Sequence, residues 1–171
     1  MHADNSFMRE LDAGNIITPE DSAYGQWKQG KETFTRLIRD TTTYKYGFIP
    51  DQARPVTAFT YMFLHGGFGH LLGNMVFLWL VGCILEIGCG RFFYSLWYVI
   101  GGFAAVGFFW LFNMTSGVPL VGASGAIAGL MGLMTVLYGF KKIKVFLTLG
   151  FYFNYFEIWG ILLLPIWLGK E

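Results

Sequence analysis

The sequence predicts an all-α fold: a polytopic bundle of membrane helices preceded by a polar, amphipathic segment. Three observations predict it. The 171 residues are 54% hydrophobic and only 13% charged, where an ordinary soluble domain carries about 25% charged residues. That leaves too little polar surface to cover a globule. The charges are also segregated. Most of them precede Thr60, and from Pro55 to Phe140 only Glu86 and Arg91 are charged. Finally, Phe92 to Phe140 carries no charge at all, and about 20 apolar residues suffice for one crossing, so this stretch holds two. The aromatic content of 19% excludes disorder, and a net charge of +1 excludes a basic nucleic-acid binder. Two cysteines, Cys83 and Cys89, do not make a disulfide scaffold.

Residues 1–45 form a polar flank without the basic start and short apolar run of a signal peptide. Within it, Trp27, Phe34, Leu37 and Ile38 recur at near-helical spacing among charged residues. This predicts an amphipathic helix over 24–40, either solvated or lying on a membrane surface. Residues 46–171 form the membrane domain, with spans at about 69–85, 92–112, 120–140 and 145–168. The last is interrupted by Asn154, Glu157 and Pro165. A Gly-rich turn, Glu86 to Arg91, separates the first two spans. NMTSGVP (Asn113 to Pro119) separates the second and third, and KKIK (Lys141 to Lys144) the third and fourth. Alternating helices put Arg91 and Lys141–Lys144 on one side, which the positive-inside rule makes cytoplasmic. Asn113–Pro119 and His65–His70 then lie on the opposite side.

Two groups of residues have the types needed for chemistry. Ser124 sits in VGASGAIAG, between Gly122 and Gly125, at the start of an apolar segment. Glycines let a backbone or substrate approach closely. A serine in a membrane helix also commonly just bonds a carbonyl of its own helix. Gly125 and Gly129 make a GxxxG, a helix-packing pattern. The second group is His65, His70 and Asn74, in HGGFGHLLGN. His70 and Asn74 are four apart and share a helix face. Polar side chains in an apolar span are functional candidates, although interfacial histidines and a helix-bridging asparagine fit the same pattern. The spacing suits no zinc site, and no metal or cofactor is expected.

A serine with glycine neighbours and a His/Asn pair of donors on the same membrane side are the parts of acyl-transfer chemistry. YGFIP, FLHGGFGHLLGNM, EIGCGR, GASGAIAGLMG and the LYG-KK turn occur in this order. From about Tyr46 to Glu171 the chain resembles the rhomboid family of intramembrane serine proteases. The resemblance implies a core of six spans in the lipid bilayer and a serine endopeptidase acting on transmembrane protein substrates, with no nucleic acid as partner. It implies Ser124 as nucleophile, with His70, Asn74 and the Ser124 amide as oxyanion donors. Gly122 belongs to the serine motif, His65 braces the loop before the helix, and Glu86 and Arg91 close the first hairpin. The family's general base is a histidine on the last core helix. This sequence has only His2, His65 and His70, none after Ser124, and no apolar span before Tyr46. The chain therefore reads as an inactive fragment, covering the second to fifth core helices of a bacterial inner-membrane protease. The alternative is a non-catalytic rhomboid-like protein that binds membrane clients.

Overall fold

The computed structural model describes residues 16–149 and 152–170; residues 1–15 of the polar flank lie outside the described residues. The chain divides into two units, one ending at Thr41 and one beginning at Thr42. In the first, helix α1 spans Tyr24–Asp40, and none of its residues is buried. Before it, the Asp21 carboxylate accepts the Thr18 amide at 2.7 Å and the Thr18 hydroxyl at 3.0 Å. This closes a turn and holds the Asp21 carboxyl below its ordinary range. After it, the Thr41 hydroxyl donates to the Ile38 carbonyl at 2.7 Å.

The second unit opens with short helices α2 (Thr42–Tyr46) and α3 (Thr57–Thr60) and two single turns, Pro50–Gln52 and Tyr61–Phe63. Helices α4 (Phe68–Cys89) and α5 (Arg91–Phe112) follow, each of 22 residues and apolar enough to cross a bilayer. At 1.5 Å per residue each is about 33 Å long, against a hydrocarbon core of about 30 Å. The expected turn from Glu86 to Arg91 shrinks to one residue. Helix α4 continues through Cys89, and only Gly90 breaks it, at φ +84°. Glycines inside a membrane helix do not end it; the one in a left-handed conformation does. Arg91 Nε and Glu86 Oε1 lie 3.7 Å apart across this break.

The third apolar segment becomes helical later than expected, at Ser124, giving α6 (Ser124–Tyr138). Ahead of it, Leu120 pairs with Phe48 through two backbone hydrogen bonds of 3.0 and 2.8 Å. Helix α6 is the centre of the bundle. Ile127, Leu130, Met131 and Met134 are fully buried in one cluster with Val81 and Leu85 of α4. On its other side Gly125 and Gly129 meet α5. A Cβ on Gly129 would stand 2.8 Å from the Gly101 Cα, and one on Gly125 would stand 2.5 Å from the Ala105 Cβ. The GxxxG pattern is thus where two helix backbones touch.

The expected span over about 145–168 is not one helix. Strands β1 (Lys142–Leu149) and β2 (Tyr152–Trp159) pair antiparallel, and α7 (Gly160–Lys170) follows. The segment is apolar enough for a span, but its first half is aromatic and β-branched, with Gly150 between the strands. That composition favours a pleated ladder. Lys144 pairs with Glu157 in register, and the Lys142 ammonium lies 3.6 Å from the Glu157 carboxylate. A two-stranded sheet thus stands in the first part of the expected span. Trp167 of α7, 1% exposed, packs edge-on against Phe77 of α4 at 4.6 Å and joins the same core.

Candidate active site

His70 lies in the first turn of α4 and Asn74 one turn deeper. Ser124 is the first residue of α6 and is half-buried. The structure brings His70 and Ser124 together around Gly122. That glycine is buried and has φ +127°, a region L side chains avoid. A Cβ there would stand 2.9 Å from His70 Cε1, 3.1 Å from His70 Nε2 and 3.7 Å from Ser124 Oγ. The imidazole and the hydroxyl therefore approach the same point, and only glycine leaves that point open.

The other imidazole nitrogen sets the tautomer. His70 Nδ1 accepts the Gly66 amide at 3.4 Å. In a neutral ring one nitrogen accepts and the other carries the proton. Nε2 then faces Gly122 and Ser124 as an N–H donor. A base toward Ser124 would need the opposite tautomer.

Asn74 is fully buried, and neither its Nδ2 nor its Oδ1 has a hydrogen-bond partner among the described residues. An unsatisfied buried polar group costs about 1–3 kcal/mol, so this amide is held at the expense of stability. The Ser124 amide is the first of the helix, one of the four N–H groups with no intrahelical acceptor. It lies at the end of α6 where the helix dipole favours negative charge. Among the described residues the Ser124 hydroxyl has no hydrogen-bond partner, so it does not bond back to a helix carbonyl as membrane serines commonly do.

His65 stands edge-on to His70, ring centroids 5.3 Å apart at 73°. Its Nε2 is buried without a partner among the described residues. Burial first, and the neighbouring His70 second, lower its pKa from the ordinary histidine value. Glu86, in the last turn of α4, and Arg91, the first residue of α5, lie at the opposite end of α4 from this cluster.

One residue of the site carries no signal in the sequence. Tyr61 is 1% exposed. Its carbonyl accepts the Gly122 amide at 2.9 Å, and its hydroxyl donates to the Gly102 carbonyl at 2.7 Å. It ties the loop before Ser124 to α5. Nothing in TYMFLH distinguishes this tyrosine from an interfacial one.

Fold and site together define a polytopic helical membrane protein in which a histidine of α4 and a serine of α6 meet at a glycine, with a buried asparagine one turn along α4 from the histidine. A family model, described as the Rhomboid domain, matches residues 52–170, and the chain belongs to the rhomboid family. RHOMBOID-like protein 1 of Arabidopsis thaliana is 43% identical over 76 residues, which cover 44% of this chain and 19% of that protein. RHOMBOID-like protein 5 of the same plant is 40% identical over 73 residues, covering 43% of this chain and 24% of that protein. The matches thus span a quarter or less of these relatives. No solved structure matches. Family and apolar helices make this an integral membrane protein. The relatives are plant proteins, and the expectation of a bacterial inner membrane has no support from them.

Proposed function

We propose that this chain carries the nucleophile and oxyanion half of an intramembrane serine endopeptidase. The observation that carries the reading is the convergence of His70 Nε2 and Ser124 Oγ on the space left by Gly122. Ser124 Oγ attacks a peptide carbonyl of a transmembrane protein substrate. The carbonyl oxygen gains negative charge and is met by the His70 Nε2–H, the Asn74 amide and the Ser124 backbone N–H. These donors are positioned beforehand, so they stabilise the charge as it develops. The Asn74 amide, which has no partner among the described residues, is available to the transition state without breaking another bond.

The attack also needs an acceptor for the hydroxyl proton. His70 Nε2 holds its own proton, and no histidine follows Ser124 in the 171 residues. In this proposal the 171 residues alone do not turn over, and the base comes from residues outside them in a parent protein. The competing reading, a non-catalytic rhomboid-like protein that holds membrane clients, rests on that same missing histidine. Lys141–Lys144 and Arg91 face the cytoplasm in this proposal, and the site opens on the opposite side.

A fluorophosphonate probe separates the two readings. In the parent it labels Ser124, and Ser124→Ala removes the label. An unlabelled parent makes the protein a binder. Strong labelling of the 171-residue chain itself shows that His65 or His70 serves as base, and overturns the assignment of His70 as donor.

A further inference from the structure

We infer that helix α1, Tyr24–Asp40, is a docking surface for an anionic lipid bilayer, lying in the headgroup plane on its aromatic face. At 100° per residue, Trp27, Phe34 and Ile38 fall on one stripe, with Tyr24 and Leu37 at its margins. Phe34 and Leu37 are 63% and 65% exposed, and no residue of the helix is buried. An apolar stripe this exposed needs a partner.

The charges name the partner. Lys28, Lys31 and Arg39 recur at three and eight residues, forming a second stripe along one edge of the aromatic one. The Lys31 ammonium lies 5.0 Å from the centroid of the Trp27 ring. The ammonium sits over the ring face as a cation–π contact, so a positive charge directly borders the aromatic stripe. Arg36 adds a fourth positive charge, against Glu32 and Asp40. An apolar stripe bordered by cations matches the chemistry of a surface whose outer layer is anionic and whose next layer is hydrocarbon. The second unit, which is membrane-embedded, begins at Thr42, two residues after the helix. The tether keeps the local concentration of bilayer high, so even a modest intrinsic affinity suffices.

The test uses the whole chain in proteoliposomes, with Cys83→Ser and Cys89→Ser as background. A nitroxide is placed at Phe34→Cys or, on the opposite face, at Gln29→Cys. Its collisions with oxygen, which enriches in lipid, and with a nickel chelate, which stays in water, report depth. With 30 mol% phosphatidylglycerol the label at 34 should favour oxygen several-fold more than the label at 29. In pure phosphatidylcholine that difference should fall. Reversal of the stripe (Lys28→Glu, Lys31→Glu, Arg39→Glu) should abolish it in phosphatidylglycerol. Each basic side chain contributes about fivefold to the bound fraction, equivalent to about 1 kcal/mol, so the triple reversal lowers the bound ratio at least about a hundredfold. Helical circular dichroism of the reversed variant should match the parent. A label at 34 exposed to nickel in both lipids overturns the proposal. So does one shielded from both quenchers, because the stripe then packs on protein, and so does oxygen preference unchanged by lipid charge or by the reversal.

Discussion

Tyr61 and Gly122 are joined by a backbone hydrogen bond of 2.9 Å, and the same tyrosine anchors its hydroxyl 2.7 Å from the Gly102 carbonyl. The loop that turns Ser124 toward His70 is therefore held from below by a residue outside every catalytic role. Tyr61→Phe keeps the ring but deletes the hydroxyl. It should lower the thermal unfolding temperature of the detergent-solubilised chain by the equivalent of about 1 kcal/mol, the usual net value of a buried hydrogen bond. An unchanged transition would show that the contact to α5 holds nothing.

Gly122→Ala tests the open point between imidazole and hydroxyl. The added methyl would lie 2.9 Å from His70 Cε1, in a backbone region with φ +127°. Labelling of Ser124 in the parent should fall at least about a hundredfold, the cost of one displaced oxyanion donor. Gly132→Ala is the control, because nothing lies within 4 Å of a Cβ there. Its labelling should equal that of the parent.

Asn74→Ala should reduce cleavage of a membrane substrate by the parent about 10²–10³-fold while leaving a measurable rate, since other donors remain. Ser124→Ala should leave none. The same Asn74→Ala change should not destabilise the chain, because it removes an amide that has no partner among the described residues. Progress curves and thermal unfolding, run on the same preparations, check both halves.

Stability should fall with acidity through His65. Its folded pKa is lowered by burial and by His70, so the folded state binds fewer protons than the unfolded state, whose histidine titrates near about 6.5. The contribution is complete above that value and is lost as pH falls through the lower, folded one. Thermal unfolding between pH 7.5 and 5 should show this loss, and His65→Gln should flatten it.

The orientation can be read by cysteine labelling from outside the membrane, after Cys83 and Cys89 are replaced. A cysteine at Ser116 should react, and one at Lys142 should not. The test discriminates, because Lys45 and Arg54, at the end that holds Ser116, pull by the same rule toward the opposite orientation. The Arg54 guanidinium bonds the Lys45 carbonyl at 2.6 Å, and the Asp51 amide bonds the Ser116 carbonyl at 3.2 Å.

Much of this was legible in the sequence, and the misses have physical causes. Helix α1 follows from the helical spacing of Trp27, Phe34, Leu37 and Ile38, and the helix ending at Phe112 from its apolar length, properties that residues carry by themselves. Total apolarity masks the hairpin, whose signal lies in the period of its side chains. Lys142, Ile143 and Lys144 alternate as a strand does. The late start of α6 depends on the φ of Gly122, and that depends on Tyr61, far away in sequence. The convergence of His70 on Ser124 is likewise a tertiary fact. Spacing along α4 groups His70 with Asn74 but says nothing of which helix they face.

The single-residue link at Gly90 makes α4 a lever. His70 stands 20 residues from it, about 30 Å along the axis, so each degree of swing at Gly90 carries the imidazole about half an ångström. Productive geometry at a catalytic centre tolerates about that much. The crossing angle of α4 must then be held to about a degree, and two tyrosines pack against the helix toward its pivot end. A Cβ on Gly82 would stand 2.9 Å from the Tyr94 hydroxyl, and one on Gly88 would collide with that of Tyr138. Alignment at one face of the membrane thus rests in part on how closely two phenols seat against bare backbone near the other.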